Sequence, residues 1–445
     1  MQYEEARSFL DSLQFFKIKL GLDSMQRFLE DVGHPQKNLK YVHVAGTNGK
    51  GSVSVSLLTL LARAGYNVGL YTSPHLSSVR ERFRINDAYI SKDDFAAMAG
   101  RIVNILDNRR ITYFEFTTAL ALLWFAERKV DLVILEVGMG GRLDATNVIT
   151  PLVSIITNVS MDHEAYLGDT LTAVAYEKAG IVKSGVPVVS GVEGPIPTKV
   201  VEERCRELNA PLYLLGRDFV EKKDEEGRMH FEGNASCFRS YDSLTSSLIG
   251  EHQKKNTALV LATISLLDRY GFHVTDQTLR SGLNEVRWPG RLELISPESI
   301  STRGSLQNDQ GGNEKKIRFL LDGAHNPAGV QSLVSALQND LLYNHLYCIW
   351  GAMIDKDILQ TLTIIAPLAT RIILARPEGE RSADPEELLA RIPDPEKSKA
   401  VCECSVIKAI ALAEDLAQED DLICIAGSLY LVGEARAHLA GELVA

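Results

Sequence analysis

Five short apolar runs in the first half of the chain, "YVHVAG", "NVGLYTS", "DLVILEVG", "LVSIITN" and "VPVVSG", end in small or polar residues and lead into helix-like patterns. Strands buried on both faces look like this, and parallel strands need helical crossovers to cover those faces. The same grammar restarts late, where "IRFLLDG", "LYCIWG", "RIILARP" and "DLICIAG" alternate with helical stretches such as "PAGVQSLVSALQ" and "PEELLARI". The expectation is an α/β chain whose mostly parallel sheet domain is followed by a second, smaller Rossmann-like α/β domain.

At roughly 100–200 residues per domain, 445 residues suggest two or three domains. The junction is placed near Trp288 to Gly290 in "RWPGRLELI", giving domains of 1–289 and 290–445. The following "SPESISTRGSLQNDQGGNEKK" has almost no apolar residue after Ile300 and reads as a mobile loop of the second domain, with an interdomain linker as its rival. "VEKKDEEGRMHFEG" carries turn residues between short apolar pieces, as a small antiparallel excursion would.

A formal net charge of -11 makes the average surface repel nucleic acid and anionic lipid, so neither is expected as a partner. No apolar run approaches the roughly 20 residues of a membrane span, and "MQYEEARSFLDSL" is too acidic for a secretory signal, so the expected location is cytoplasmic. The six cysteines lack the paired spacing of a zinc site.

"HVAGTNGKGSVSVSLL" departs from the usual phosphate-loop spacing: Val44 stands where a glycine is wanted, and Gly51 intervenes between Lys50 and Ser52. Its order is nevertheless complete. A strand enters, Gly46 and Gly49 let the backbone fold around an anion, and a helix starting near Gly51 aims its amino end at it. Lys50 would reach a phosphate and Ser52 a Mg²⁺. A strand–turn–helix that needs glycine only sterically is the alternative. Ser73, Glu136, Asp162 and His163 lie at or just beyond the ends of the next strands, where open α/β sheets place ligands. Glu136, an acid closing an apolar strand, is the best metal-holding candidate among them.

The strings "HVAGTNGKGSV", "YTSPHL", "TYFEFTT", "EVGMGGRLDATN", "MDHEAYLG", "EKAGIVK", "GEHQKKNTALV", "WPGRLE", "LDGAHNP" and "GSLYLVGEAR" run through nearly the whole chain. In kind and order they resemble the folylpolyglutamate synthases and dihydrofolate synthases of the Mur ligase superfamily. The resemblance implies a P-loop-containing central domain for ATP and folate over 1–289 and a C-terminal Mur-ligase-like α/β domain over 290–445 that closes over the nucleotide. It implies an ATP-dependent acid–amino-acid ligase that adds L-glutamate to dihydropteroate, to the glutamate tail of reduced folate, or to both, through an acyl phosphate. The bifunctional form is favoured, acting as a monomer. The rivals are a Mur-type ligase acting on a cell-wall precursor and a non-catalytic nucleotide-binding regulator.

Residue by residue, the resemblance puts phosphate binding on Lys50 and on the backbone of Asn48, Gly49, Gly51 and Ser52. It puts Mg²⁺ on Ser52, Ser73, Glu136 and His163, and the adenine on Asn256. Arg291, Asp322 and His325 become nucleotide contacts from the hinge and second domain. Lys178 takes the place of a carbamylated lysine and joins Lys50, Glu136 and His163 in the catalytic set. The pterin side falls to Thr112, Tyr113, Phe114 and Glu115, to Leu143, Asp144 and Ala145, and to Arg82. Phe114 could equally serve core packing, and Arg80, Arg82 and Arg84 could alternate along one solvated strand face.

Overall fold

The computed structural model describes residues 1–13, 21–107, 109, 111–296, 317–379, 381–441 and 443. The polar stretch from Pro297 to Lys316, read above as a loop or linker, lies outside the described residues. The chain forms two compact units. One comprises Met1–Pro74, Val79–Ser247 and His252–Arg287, the other His75–Ser78, Leu248–Glu251 and Trp288–Ala445.

The sheet of the first unit is built from β1 (Tyr41–Ala45), β2 (Val68–Tyr71), β3 (Phe83–Ile85), β4 (Ala88–Tyr89), β5 (Leu132–Glu136), β6 (Val153–Ile156), β7 (Val188–Ser190) and β8 (Leu212–Leu214). They lie in the order β4-β3-β2-β5-β1-β6-β7-β8. The neighbouring pairs β2-β5, β5-β1, β1-β6, β6-β7 and β7-β8 are parallel, and the pairs β2-β3 and β3-β4 at one edge are antiparallel. The five apolar runs of the first half are β1, β2, β5, β6 and β7, each buried along its length. From β1 the chain turns toward β2, and from β6 it turns the other way toward β7. The carboxyl ends of β1 and β6 therefore flank a topological switch point, the crevice where such sheets bind ligands.

Helices cover both faces. Tyr113–Glu127 is apolar nearly all round and has eleven buried positions, as a helix enclosed by a core must. Its start is fixed by a capping box in which the Thr112 N–H donates to Glu115 Oε2 at 2.7 Å and the Glu115 N–H to Thr112 Oγ1 at 3.2 Å. The expected excursion is a three-stranded antiparallel sheet, β9 (Phe219–Lys223), β10 (Met229–Gly233) and β11 (Tyr241–Leu244), closed by the packed rings of Phe219, Phe231 and Phe238.

In the second unit β12 (Glu293–Ile295), β13 (Arg318–Asp322), β14 (Leu346–Trp350), β15 (Arg371–Ala375), β16 (Ala400–Glu403) and β17 (Leu422–Ala426) lie in the order β12-β13-β17-β14-β15-β16, all parallel except β12. Alternate residues feed two cores. Leu320, Cys348, Trp350 and Leu374 face one, and Phe319, Leu321, Ile349 and Ile373 face the other. Hence these strands read as unbroken apolar runs. Among the described residues no helix is long and apolar enough to cross a membrane.

Candidate active site

The helix Lys50–Arg63 begins directly after the glycine loop, with Gly49 at its amino end in the left-handed region at φ 83°. The loop is clamped from β6. Asn158 Oδ1 accepts from the N–H groups of Thr47 (3.2 Å) and Asn48 (2.9 Å), and Thr157 Oγ1 donates to the Asn48 carbonyl at 2.6 Å. Thr47 Oγ1 donates to the Ser160 carbonyl and accepts from the Ser160 N–H, both at 3.0 Å. Gly46 must be glycine: at φ 152° a Cβ there would lie 1.8 Å from Thr157 Oγ1. Lys50 Nζ donates to the Gly46 and Thr47 carbonyls at 3.0 Å each, which holds its charge over the loop. The strand, loop and helix thus form an anion cradle at the switch point.

Two groups close on it from the helix Glu251–Leu267. Asn256 Oδ1 lies 2.5 Å from where a Cβ on Gly49 would sit. Gln253, buried, donates to Ser52 Oγ at 3.2 Å and accepts from Asn256 Nδ2 at 2.9 Å. Gln253 and Asn158 did not stand out in the sequence. The available signal for Gln253 was its i,i+3 spacing from Asn256, which puts the two amides on one helical face.

At the end of β5, the buried Glu136 accepts from the Ser73 N–H through Oε2 at 3.2 Å, so these two expected metal contacts are adjacent. Asp162 accepts from the His163 N–H at 2.9 Å, and the His163 ring, 38% exposed, lies 3.9 Å from Asp162 Oδ2. Among the described residues no three His, Cys, Asp or Glu side chains converge on a metal-sized site. Ser52 Oγ and Glu136 are nonetheless hard oxygen donors beside a phosphate cradle. This donor set fits Mg²⁺, which binds through one or two protein oxygens and completes its shell with phosphate and water. The imidazole of His163 suits that ion less well.

Lys178 is buried, 3% exposed, and its amine is pushed down to about 7, mainly by burial and then by the like charge of Lys50, with Asp162 opposing. Lys50, Lys178 and Asp162 thus share one electrostatic neighbourhood. Arg142 ties the loop after β5 to the helix Leu171–Ala179 that carries Lys178: its N–H donates to the Glu177 carbonyl at 2.8 Å and its guanidinium to Glu177 Oε1 at 2.8 Å.

Asp144 organises the same loop. Its Oδ2 accepts from the Gly138 and Met139 N–H groups at 3.1 and 3.0 Å, and its Oδ1 from the N–H and hydroxyl of Thr146 at 3.0 and 2.5 Å. Burial raises its pKa while these four donors favour the anion. Phe114 lies against Gly138, where a Cβ would come within 2.5 Å of the ring, and 5.9 Å from Tyr71 between centroids. Arg82 stands 5.2 Å over the ring of Tyr113. The solvated-strand alternative for the arginines fails, because Arg80 and Arg82 are buried in a 3₁₀ turn, Val79–Arg82, and Arg80 Nε donates to the Ile90 carbonyl at 2.8 Å. Thr112 and Glu115 are engaged in the helix cap, Glu115 also accepting from Ser24 Oγ. Leu143 is half-buried, and Ala145 belongs to the core.

The second unit assembles its own cluster. Asp322 closes β13 and accepts from the Leu292 and Ala324 N–H groups at 2.8 and 2.9 Å. His325 Nδ1 lies 2.8 Å from the Gly323 carbonyl, and Arg291 Nη1 lies 1.9 Å from where a Cβ on Gly323 would sit.

An anion cradle at the switch point of one α/β unit, followed by a second α/β unit with a polar cluster at a strand end, is an arrangement suited to a two-domain nucleotide-binding protein, and the family models make that class the Mur ligases. The profile of the Mur ligase middle domain matches residues 44–264, and that of the Mur ligase, glutamate ligase domain matches 310–429. The dihydrofolate synthase/folylpolyglutamate synthase of Bacillus subtilis is 33% identical over 98% of this chain and 99% of its own. The folylpolyglutamate synthase of Lacticaseibacillus casei is 33% identical over 93% of each chain. Among solved structures, E. coli FolC in complex with DHPP and ADP superposes with a TM-score of 0.85 at 29% identity, covering 97% of this chain and 96% of that one. A bifunctional folylpolyglutamate synthase/dihydrofolate synthase with Mn, AMPPNP and L-glutamate bound gives 0.84 at 29% identity over 99% of each. The chain belongs to the folylpolyglutamate synthase/dihydrofolate synthase family. These relatives fit the folate reading and not the cell-wall or regulator readings.

Proposed function

We propose that this chain joins the α-amino group of L-glutamate to the carboxylate of dihydropteroate, and to that of the glutamate tail of reduced folate, with ATP as the source of activation. The observation that carries this reading is the clamped cradle Gly46–Ser52, with Lys50 over it and Glu136 closing a strand of the same sheet. A carboxylate is a poor electrophile with a poor leaving group. Its oxygen attacks the γ-phosphorus of ATP and ADP departs; the glutamate amine then attacks the acyl phosphate carbon. The tetrahedral intermediate expels phosphate and leaves the amide and a proton. Phosphoryl transfer of this kind asks mainly for positioning and charge neutralisation.

In this reading Lys50 exchanges its two carbonyl partners for phosphate oxygens, helped by the N–H groups at the start of the helix, from Asn48 to Ser52. Ser52, Ser73, Glu136 and His163 are the residues assigned to Mg²⁺, which when bound neutralises charge on the transferring phosphate. Asn256 meets the adenine, steadied by Gln253, and Arg291, Asp322 and His325 carry the nucleotide contacts assigned to the second unit. Lys178, an amine held partly neutral by its surroundings, can add to CO₂ with loss of a proton, replacing a cation beside Lys50 by a carbamate anion. The flat pterin stacks on Phe114 or Tyr113 with Asp144, Leu143 and Arg82 around it. The protein works as a cytoplasmic monomer that uses neither nucleic acid nor membrane.

The test offers Mg-ATP and glutamate with dihydropteroate and tetrahydrofolate in separate reactions, following phosphate release and product mass. A gain of one glutamyl unit on both acceptors is expected. A gain on one alone restricts the assignment to that branch, and turnover with neither overturns it.

A further inference from the structure

His43 lies in mid-strand on β1, wholly buried, among strand residues that are mostly Val, Leu and Ile, with Ser154 of β6 paired opposite it. An apolar residue there would pack without loss, whereas a buried imidazole with an unsatisfied ring nitrogen costs stability. Nδ1 of His43 has no hydrogen-bond partner among the described residues. Its other nitrogen, Nε2, lies 2.9 Å from Thr146 Oγ1.

The donors along this line can be assigned by satisfiability. Three backbone N–H groups, of Gly138, Met139 and Thr146, point at Asp144, so its carboxylate acts as an acceptor. The Thr146 hydroxyl has one proton, and it goes to Asp144 Oδ1 at 2.5 Å. Thr146 Oγ1 can then only accept from His43, which must carry its proton on Nε2. The line runs from the middle of the sheet through Thr146 to Asp144. From there it reaches the backbone of Gly138 and Met139, immediately after Glu136 and under the ring of Phe114.

We propose that His43 is a positioning residue for the acceptor substrate, fixing through Thr146 the direction of the Asp144 carboxylate and the shape of the loop Gly138–Thr146 against which the pterin acid binds. This inference rests on the acceptor reading above. It adds to that reading a specificity device anchored in the sheet rather than in the loop itself. A residue with only a structural role would affect overall stability, or both substrates alike.

The experiment measures dissociation constants of the full-length chain for dihydropteroate and for ADP by titration calorimetry, together with the melting temperature of each variant. His43→Leu and Thr146→Val should each weaken dihydropteroate binding about tenfold while ADP stays within about twofold, and the double variant should be no weaker than either single one. His43→Gln and Thr146→Ser, which can renew the donor and the hydroxyl, should recover most of the loss. Equal losses for both ligands, additive losses, or unchanged dihydropteroate binding in a folded variant would overturn the relay. Should His43→Leu not fold, Thr146→Val decides on the same criteria. Nitrogen-15 spectra of the wild-type histidines add a readout independent of binding: an Nε2–H tautomer at His43 is expected, and an Nδ1–H tautomer refutes the relay. Wild-type protein that binds no dihydropteroate removes the dihydropteroate branch of the acceptor reading and sinks this inference with it. Normal wild-type binding that ignores His43 sinks the relay alone.

Discussion

Lys50 and His43 stand seven positions apart, and they show what a single side chain can and cannot reveal of itself. Lys50 could be read in advance because a lysine after Gly49 at a helix start has a short menu of uses. Replacing it with alanine removes a positioned cation from the proposed phosphate site but no core contact. Product formation should fall about 10²- to 10³-fold with the melting temperature unchanged, and retained turnover would count against the cradle. His43 gave no such warning, since its role depends on a hydroxyl 103 positions away. Its pKa is lowered from 6.5 to about 3, by burial first and the charge of Lys183 second. A depressed histidine leaves stability untouched above pH 6.5. Below that the unfolded chain binds a proton that the folded chain refuses, and stability falls until the pH reaches about 3. Between pH 6.5 and 5 the loss is about 2 kcal/mol. Urea unfolding at pH 7 and pH 5 should show wild type losing that much more than His43→Leu; equal losses would mean that His43 protonates normally.

Elements were legible where both faces are buried. The runs that became β1, β5, β6, β13, β14 and β17 are apolar at most positions of both faces, and such runs survive in one dimension. The strands β8 and β16 sit at sheet edges with mostly half-buried residues, so "LYL" and "AVCE" carried no comparable signal. The glycine loop lies between these cases. Its glycines showed a need for close approach, but not what approaches, which is Thr157 on the loop after β6. Gly46→Ala should therefore break the joint between the two loops at the switch point. Nucleotide binding should weaken by at least about tenfold, with stability lowered by about 1–3 kcal/mol. Thr157→Ala in the same chain removes the Oγ1 that meets the new Cβ and should restore part of both, the residue being the backbone strain at φ 152°. ADP titration and thermal melting of the two single variants and the double variant check this. Full additivity would mean that the loops move independently.

For the whole molecule, the difficulty in reading the sequence is that the chain visits its second unit more than once. Composition shifts near Trp288 are visible, but His75–Ser78 and Leu248–Glu251, four residues each, have no signature of their own, although Leu76 and Ile249 pack onto the second unit's two cores. These visits have a mechanical consequence. In the helix Leu429–Ala440, Gly433 faces the backbone of Leu76: a Cβ there would lie 2.2 Å from the Leu76 carbonyl oxygen and 2.8 Å from its carbon. By helix propensity alone, Gly433→Ala would stabilise the chain by about 0.5–1 kcal/mol. A carbonyl cannot rotate out of the way as a side chain can, so the variant should instead lose about 1–3 kcal/mol and melt lower than wild type. The two effects have opposite sign, which makes the melting temperature decisive. A lower midpoint means that the short segment at Leu76 is held against this helix in solution, and a higher one means that helix propensity alone governs Gly433 and that the second unit folds without the segment's help.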